Sequence, residues 1–133
     1  MARFDFPKEK GLQTYSAVYV PSTKGVNKKI TQSEFNKRIS ETQKFLSKEF
    51  GGATADKRKG LFKTRGGKIV KEDVAVVENY STFSDWKKHD QTIRKFLKKK
   101  AKKWGQESIA MEFEAPNKQR RMIFVKNKLA KVA

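Results

Sequence analysis

Apolar residues recur at helical spacing in the stretch from Thr31 to Phe50. One inward-facing position appears every three or four residues, until the Gly51-Gly52 pair ends the pattern. Thr31 and Glu34 have the spacing of a capping box, which satisfies backbone N–H groups at the start of a helix. The pattern therefore predicts an amphipathic helix that begins after Thr31 and ends before Gly51.

A second helical stripe runs from Thr82 to Trp104 and shares its residues with a dense series of lysines. Thr82 and Asp85 are spaced as an N-terminal cap, and Gly105 follows as a stop. Trp86 and Trp104 fall in register with the apolar stripe, which favours a core role for both over base stacking. The lysine-rich side is either a docking surface for an anion or a solvated helix face.

The remaining apolar residues predict strands that alternate with these helices. The predicted strands are 14–20, a broken or bulged strand near Gly60 within 53–62, a central strand at 68–80, and strands at 108–114 and 121–125. Residues 24–29 are predicted to form a basic loop. This order predicts an α+β fold, a ferredoxin-like βαββαβ sandwich with two helices on one face of an antiparallel sheet and an extra C-terminal edge strand. The domain division is 1–13 as an N-terminal extension, 14–126 as a single α+β domain, and 127–133 as a basic C-terminal tail.

The net charge of the chain bears on its function more than its length does. The chain of 133 residues has a net charge of +18 and a pI near 10.2, which favours a polyanionic partner such as DNA or RNA bound through its phosphates. It has no cysteine and one histidine, which excludes disulfides, thiolate metal sites and a His-rich metal site. We expect no cofactor. No apolar run approaches the roughly 20 residues that span a bilayer, so the expectation is a protein of the host cytoplasm or the interior of a virion, not secreted and not in a membrane.

The predicted topology gathers separate lysine clusters at one end of the domain. The loop after the first strand, the hairpin between the second and third strands, and the C-terminal end of the second helix all lie at that end. The candidate nucleic-acid-binding residues are Lys24, Lys28, Lys29, Lys63, Arg65, Lys68, Lys98, Lys99, Lys100, Lys102 and Lys103. Lysines in the last turns of a helix also complement its dipole, so part of this charge has a local structural reason.

The uncovered face of the sheet is a weaker candidate for nucleic-acid contact. Tyr19 resembles the stacking aromatic of an RNA-recognition domain, but the basic, aromatic-rich motif expected on the third strand is missing. Glu112 and Glu114 would face the same side and repel phosphates. Tyr15 and Tyr19 are therefore interpreted as strand aromatics or as part of a homodimer contact through the open sheet face.

Catalytic chemistry is sparse in the sequence. Neither glycine pair belongs to a phosphate-binding loop motif. His89 could act with a carboxylate, and paired carboxylates could act as acid and base or hold magnesium. The carboxylates available for such a pair are Glu72, Glu78, Glu107 and Glu112. Spacing along the chain does not show whether any two of them meet.

Four short motifs carry a resemblance: YVPS at 19–22, FGGATA at 50–55, GKIVKEDV at 67–74 and WGQES at 104–108. Over about residues 15–114 the chain resembles small uncharacterised proteins of phages and bacteria with a ferredoxin-like αβ layout. The resemblance implies this fold and a phage or mobile-element origin, and it implies no activity or catalytic residues. The basic hairpin, the lysine run and both extensions depart from the more neutral relatives.

The leading functional hypothesis from the sequence is a non-enzymatic, largely sequence-independent nucleic-acid-binding protein encoded by a phage. The alternative is an interaction module that docks on an acidic protein surface, as a virion component or an inhibitor of a host nucleic-acid machine. A small-molecule or metal-dependent enzyme is the third reading.

Overall fold

The structure is a computed structural model that describes residues 12–25, 28–63 and 66–127, without the side chain of Phe62. Within these residues the chain forms a five-stranded sheet, a short two-stranded hairpin and two helices. The helices are α1 (Gln32–Phe50) and α2 (Phe83–Lys103). The strands are β1 (Thr14–Pro21), β2 (Thr23–Lys24), β3 (Lys28–Lys29), β4 (Thr54–Lys63), β5 (Ile69–Ser81), β6 (Ser108–Glu114) and β7 (Arg121–Lys126).

Both predicted helix starts are confirmed by their caps. The Thr31 side chain accepts a hydrogen bond from the Glu34 backbone N–H at 3.1 Å, and Thr82 does the same for Asp85 at 3.0 Å. At the end of α1, Gly51 adopts a left-handed conformation with φ of 89°, which a residue with a Cβ atom adopts at a cost. Local sequence therefore determines where both helices begin and where α1 ends.

The large sheet is antiparallel throughout, with the strand order β4-β5-β1-β6-β7. Alternate residues of its inner strands pack beneath the helices: Val18 and Val20 of β1 and Ile109 of β6 join Leu97 of α2 in one core. Both helices of the described residues pack on this one face of the sheet, which leaves the other face uncovered by them. The predicted α+β class, with two helices and an antiparallel sheet, is confirmed.

Two local predictions were wrong, one for the strand that follows α1 and one for the segment that precedes α1. β4 is continuous, and its pairing with β5 runs without a break from Thr54 opposite Glu78 to Lys63 opposite Ile69. Gly60 fits this regular ladder opposite Glu72, so its backbone freedom produces no bulge. The predicted basic loop at 24–29 contains the β2–β3 hairpin. Residues 1–11 and 128–133, most of the two predicted extensions, lie outside the described residues.

The β2–β3 hairpin is attached to the helix layer by a buried arginine. Arg38 of α1 is only 2% exposed, and its Nη1 donates to the carbonyls of Pro21 at 2.8 Å and Thr23 at 2.9 Å. Its guanidinium lies 5.1 Å from the centre of the buried Trp104 ring. The Gly25 N–H also donates to the Gly105 carbonyl at 2.9 Å. These contacts hold the hairpin against the C-terminal end of α2.

Replacing Thr82 by alanine should lower the free energy of unfolding by about 1 kcal/mol, because the Asp85 N–H loses its acceptor at the start of α2. Urea denaturation followed by circular dichroism measures the change. Ser84→Ala, at an exposed site in the same turn, is the matched control and should change stability by less than about 0.5 kcal/mol. An equal loss in both variants would contradict the capping role.

Of the two helices in the described part of the chain, neither has the length and apolar character needed to cross a membrane.

Candidate functional site

Two tyrosine–glutamate pairs lie on the face of the sheet that the helices leave uncovered. Tyr15 Oη donates to Glu78 Oε2 at 2.8 Å, and Tyr19 Oη donates to Glu112 Oε1 at 2.7 Å. Burial raises the pKa of both phenols, and the hydrogen bonds to the carboxylates raise them further. Both tyrosines therefore stay protonated at neutral pH and act as donors.

Arg120 links these two pairs from the turn between β6 and β7. Its Nη1 lies 3.4 Å from Glu112 Oε2 and its Nη2 lies 2.9 Å from Glu114 Oε1. Its guanidinium also sits 4.8 Å from the centre of the Tyr15 ring. The hydrogen bond to Glu114 raises the pKa of Arg120. We call Tyr15, Tyr19, Glu78, Glu112 and Arg120 the open-face network.

Beside this network lies a cavity of about 450 Å³, which we call the open-face groove. Its volume is within the range of about 300–1,000 Å³ that is common for small-molecule sites. Tyr19 forms one wall, and Val74 and Ala110 contribute apolar surface. Met122 and Phe124 of β7 complete that surface and remain 45% and 61% exposed. The groove could therefore pack against the flat apolar part of a ligand.

Four charged residues also line the groove: Arg58 and Lys59 of β4, and Glu72 and Asp73 of β5, of which Lys59 and Asp73 are paired with each other. Glu72 is half-buried, and the residue opposite it on β4 is Gly60, which has no side chain to cover it. Within residues 12–25, 28–63 and 66–127, Glu72 makes no hydrogen bond or ion pair through its side chain. Arg58 has a long contact of 3.9 Å to Asp56. The groove thus offers a cation partner and an anion partner to a ligand.

The described residues contain no group of three or more His, Cys, Asp or Glu side chains arranged to hold a metal ion.

The predicted lysine clusters do lie at one end of the sheet. The Gly25–Gly105 hydrogen bond brings the hairpin with Lys24, Lys28 and Lys29 next to the end of α2, where Lys98, Lys99, Lys102 and Lys103 are found. Pro21, the last residue of β1, pairs with Val74 of β5. The residues of β5 that precede Val74 therefore extend beyond β1 at this same end of the sheet. Lys63 and Lys68 flank that extension, and Arg65 lies outside the described residues.

Lys100 departs from this cluster. Its ammonium lies 3.4 Å from a Glu41 carboxylate oxygen and 5.4 Å from the centre of the Phe96 ring, and its side chain is only 12% exposed. Lys100 therefore stabilises the packing of α2 on α1 and has little charge to offer a ligand in solution.

His89 does not meet the glutamates singled out from the sequence, whereas two of those glutamates, Glu78 and Glu112, lie opposite Ala17 on either side of β1 and belong to the open-face network. His89 Nδ1 lies 2.6 Å from Glu49 Oε1 and its ring stands edge-on to Phe50, all within the helix layer. Glu72 lies on the opposite face of the sheet, and Glu107 is exposed in the turn after α2. A catalytic pair of His89 with either glutamate is excluded by this separation.

Sequence reasoning missed the groove and the role of Arg58 in it. A signal was present, because Tyr15, Tyr19, Glu112 and Glu114 were all assigned to the open face. Their carboxylates were treated only as an argument against phosphate binding, although the same side chains favour a cationic ligand. A homodimer contact through this face stays a prediction.

The fold is similar to that of a phage SAM lyase. Against that lyase in complex with S-methyl-5′-thioadenosine, the TM-score is 0.57 at 16% sequence identity, covering 86% of this chain and 91% of the lyase chain. Against the lyase in its apo state, the TM-score is 0.58 at 14% identity, covering 90% and 94%. No protein-family model and no curated protein sequence matches the chain.

These similarities overturn the hypothesis of a non-enzymatic nucleic-acid-binding protein, since the neighbouring structures are those of an enzyme. They also count against the alternative of a non-catalytic docking module and against the expectation that the chain is not an enzyme. The error has a physical cause. Net charge reports the whole surface, whereas a small-molecule site depends on a few side chains that the fold brings together.

Proposed function

We propose that this chain binds S-adenosylmethionine in the open-face groove and cleaves it as a lyase, with S-methyl-5′-thioadenosine as one product. The observation that carries the proposal is the Glu72 carboxylate, which has no partner among the described residues and lies in a largely apolar groove next to a network of tyrosines and glutamates. The likeness in fold to a phage SAM lyase supports it.

The charges of the groove complement those of the proposed substrate. S-adenosylmethionine carries a cationic sulfonium, an ammonium and a carboxylate. Glu72 would offset a cationic centre, and Arg58 would bind the carboxylate through its guanidinium. Met122 and Phe124 would pack against the adenine ring, since flat aromatic surfaces stack well on nucleobases.

The reaction breaks the bond between the sulfonium sulfur and the γ-carbon of the amino-acid part, and the electron pair of that bond passes to sulfur. A lyase adds no water, so the four-carbon fragment leaves with a new ring or a new double bond. In the first case an oxygen of the substrate's own carboxylate attacks the γ-carbon and no proton moves. In the second, a proton leaves the β-carbon to a base, for which Glu72 is the available carboxylate.

In the ring-forming route, the sulfonium and carboxylate charges of the substrate are both lost. In the double-bond route, the sulfonium charge is lost and the proton neutralises the base. In the apolar surroundings of the groove, a charge-neutralising step is favoured relative to the same step in water.

Incubation of the purified chain with S-adenosylmethionine tests this function. We expect S-methyl-5′-thioadenosine to accumulate, as measured by liquid chromatography and mass spectrometry. S-adenosylhomocysteine, which has no sulfonium and therefore a poorer leaving group, should stay intact. Proton nuclear magnetic resonance of the four-carbon product distinguishes the ring from the double bond, which have equal mass. Intact S-adenosylmethionine after long incubation would contradict the proposal.

We further propose the ferredoxin-like arrangement and a phage origin. The order β4-β5-β1-β6 with a helix after β1 and a helix after β5 supports the first, and β7 then adds an edge strand beside β6. The similarity to phage structures supports the second.

A further inference from the structure

A second cavity, of about 290 Å³, lies on the helix side of the β4–β5 ribbon. Three strands each contribute one lysine to its lining: Lys29 from β3, Lys59 from β4 and Lys71 from β5. We call this space the basic cavity. Its lysines come from positions more than ten residues apart, so the tertiary fold, and no lysine run in the sequence, brings them together.

The basic cavity has more positive than negative charge. Asp73 is the one acid of its lining, and the Lys59 ammonium lies 2.6 Å from Asp73 Oδ1. That hydrogen bond lowers the pKa of Asp73, and the nearby charges of Lys29 and Lys57 lower it further. Lys29 and Lys71 have no acidic partner among the described residues.

The floor and size of the basic cavity restrict what could fill it. The buried Phe35 ring closes its inner end, with the Lys57 ammonium 5.6 Å from the ring centre. The Ser22 hydroxyl also lines the cavity, but it donates a hydrogen bond to the Asp73 backbone carbonyl and so links β5 to the segment after β1. A volume of about 290 Å³ accepts a phosphate group with a small organic remainder.

We propose that the basic cavity binds a small phosphate-bearing anion. Lysine ammonium groups act as mobile point charges that close around phosphate oxygens. Lys29 and Lys71 have like charges that repel each other in the cavity, and a bound dianion would offset both charges. Lys59 and Asp73 lie at the border of both cavities, but Lys29 and Lys71 line the basic cavity and not the groove, and Glu72 lines the groove and not the basic cavity. The proposal does not depend on the proposed lyase function.

Titration of the full chain with inorganic phosphate tests this site, by calorimetry at constant ionic strength with chloride as the competing anion. Saturable binding with one phosphate per chain is expected. The double variant Lys29→Gln/Lys71→Gln should weaken phosphate binding by roughly tenfold or more. Lys95→Gln/Lys99→Gln removes the same charge from exposed sites on α2 and should leave the affinity within about twofold.

Equal weakening in the two double variants would overturn the proposal, because the effect would then follow net charge and not the cavity. Absence of saturation would overturn it as well. Thermal unfolding without phosphate shows whether each variant is folded. A second pair of single variants, Lys71→Gln and Lys99→Gln, repeats the comparison with one charge if the first double variant is unstable.

Discussion

Glu72→Gln should weaken the binding of S-adenosylmethionine by roughly 10- to 100-fold, which corresponds to about 1.5–3 kcal/mol for the loss of a charged hydrogen-bonding partner. The glutamine keeps the size of the side chain but not the charge that offsets the substrate's cationic centres. S-methyl-5′-thioadenosine has no such centre, so its affinity should change by less than about threefold. Calorimetric titration of both ligands into the variant and the parent chain measures the two effects.

Glu114→Gln is the matched control for this experiment. Glu114 lies on the same face, but its side chain is 43% exposed, contacts Arg120 and does not line the open-face groove. Its substitution should leave both affinities close to those of the parent chain. An equal loss for both ligands in the Glu72 variant would show that the residue shapes the groove without selecting charge. If the parent chain bound neither ligand, the proposed function itself would be wrong.

Trp104→Ala should cost about 3–5 kcal/mol in free energy of unfolding, which is a large share of the stability of a domain of this size. Trp104 is 1% exposed and caps the C-terminal end of α2. Its ring also packs against the buried Arg38 guanidinium, and the substitution removes this contact. Urea denaturation measures the loss.

Phe83→Ala is the control for Trp104, since it removes an aromatic ring of the same helix that is 37% exposed. We expect a cost of less than about 1.5 kcal/mol there. A loss below 1 kcal/mol for Trp104→Ala would contradict a core role for this tryptophan.

The sequence was informative about elements because their signals are local. The two threonine caps, the Gly51 stop and the alternation in β6 depend on neighbours within a few residues, and each is present in the structure. The alternation also assigned Glu112 and Glu114 to the open face before their contacts were known. Gly60 was misjudged because a glycine permits a bulge without requiring one.

The predicted function was wrong because a large net charge does not show where on the surface the functional side chains lie. A net charge of +18 favoured a polyanion, and the lysines do gather at one end of the sheet. Charge alone does not show which lysines are already paired, as Lys100 is with Glu41. Net charge also gives no information about a single carboxylate such as Glu72, whose proposed role depends on its having no partner among the described residues.

By itself, the sequence determined both helices, the approximate positions of the five strands of the large sheet and the α+β class, because these follow from local periodicity and capping. Only the tertiary structure decided which side chains line one cavity. Glu72 and Arg58 come from β5 and β4, whereas Tyr19 and Phe124 come from β1 and β7. Their meeting in one groove depends on strand order and register, which are long-range properties that no local pattern in the chain encodes.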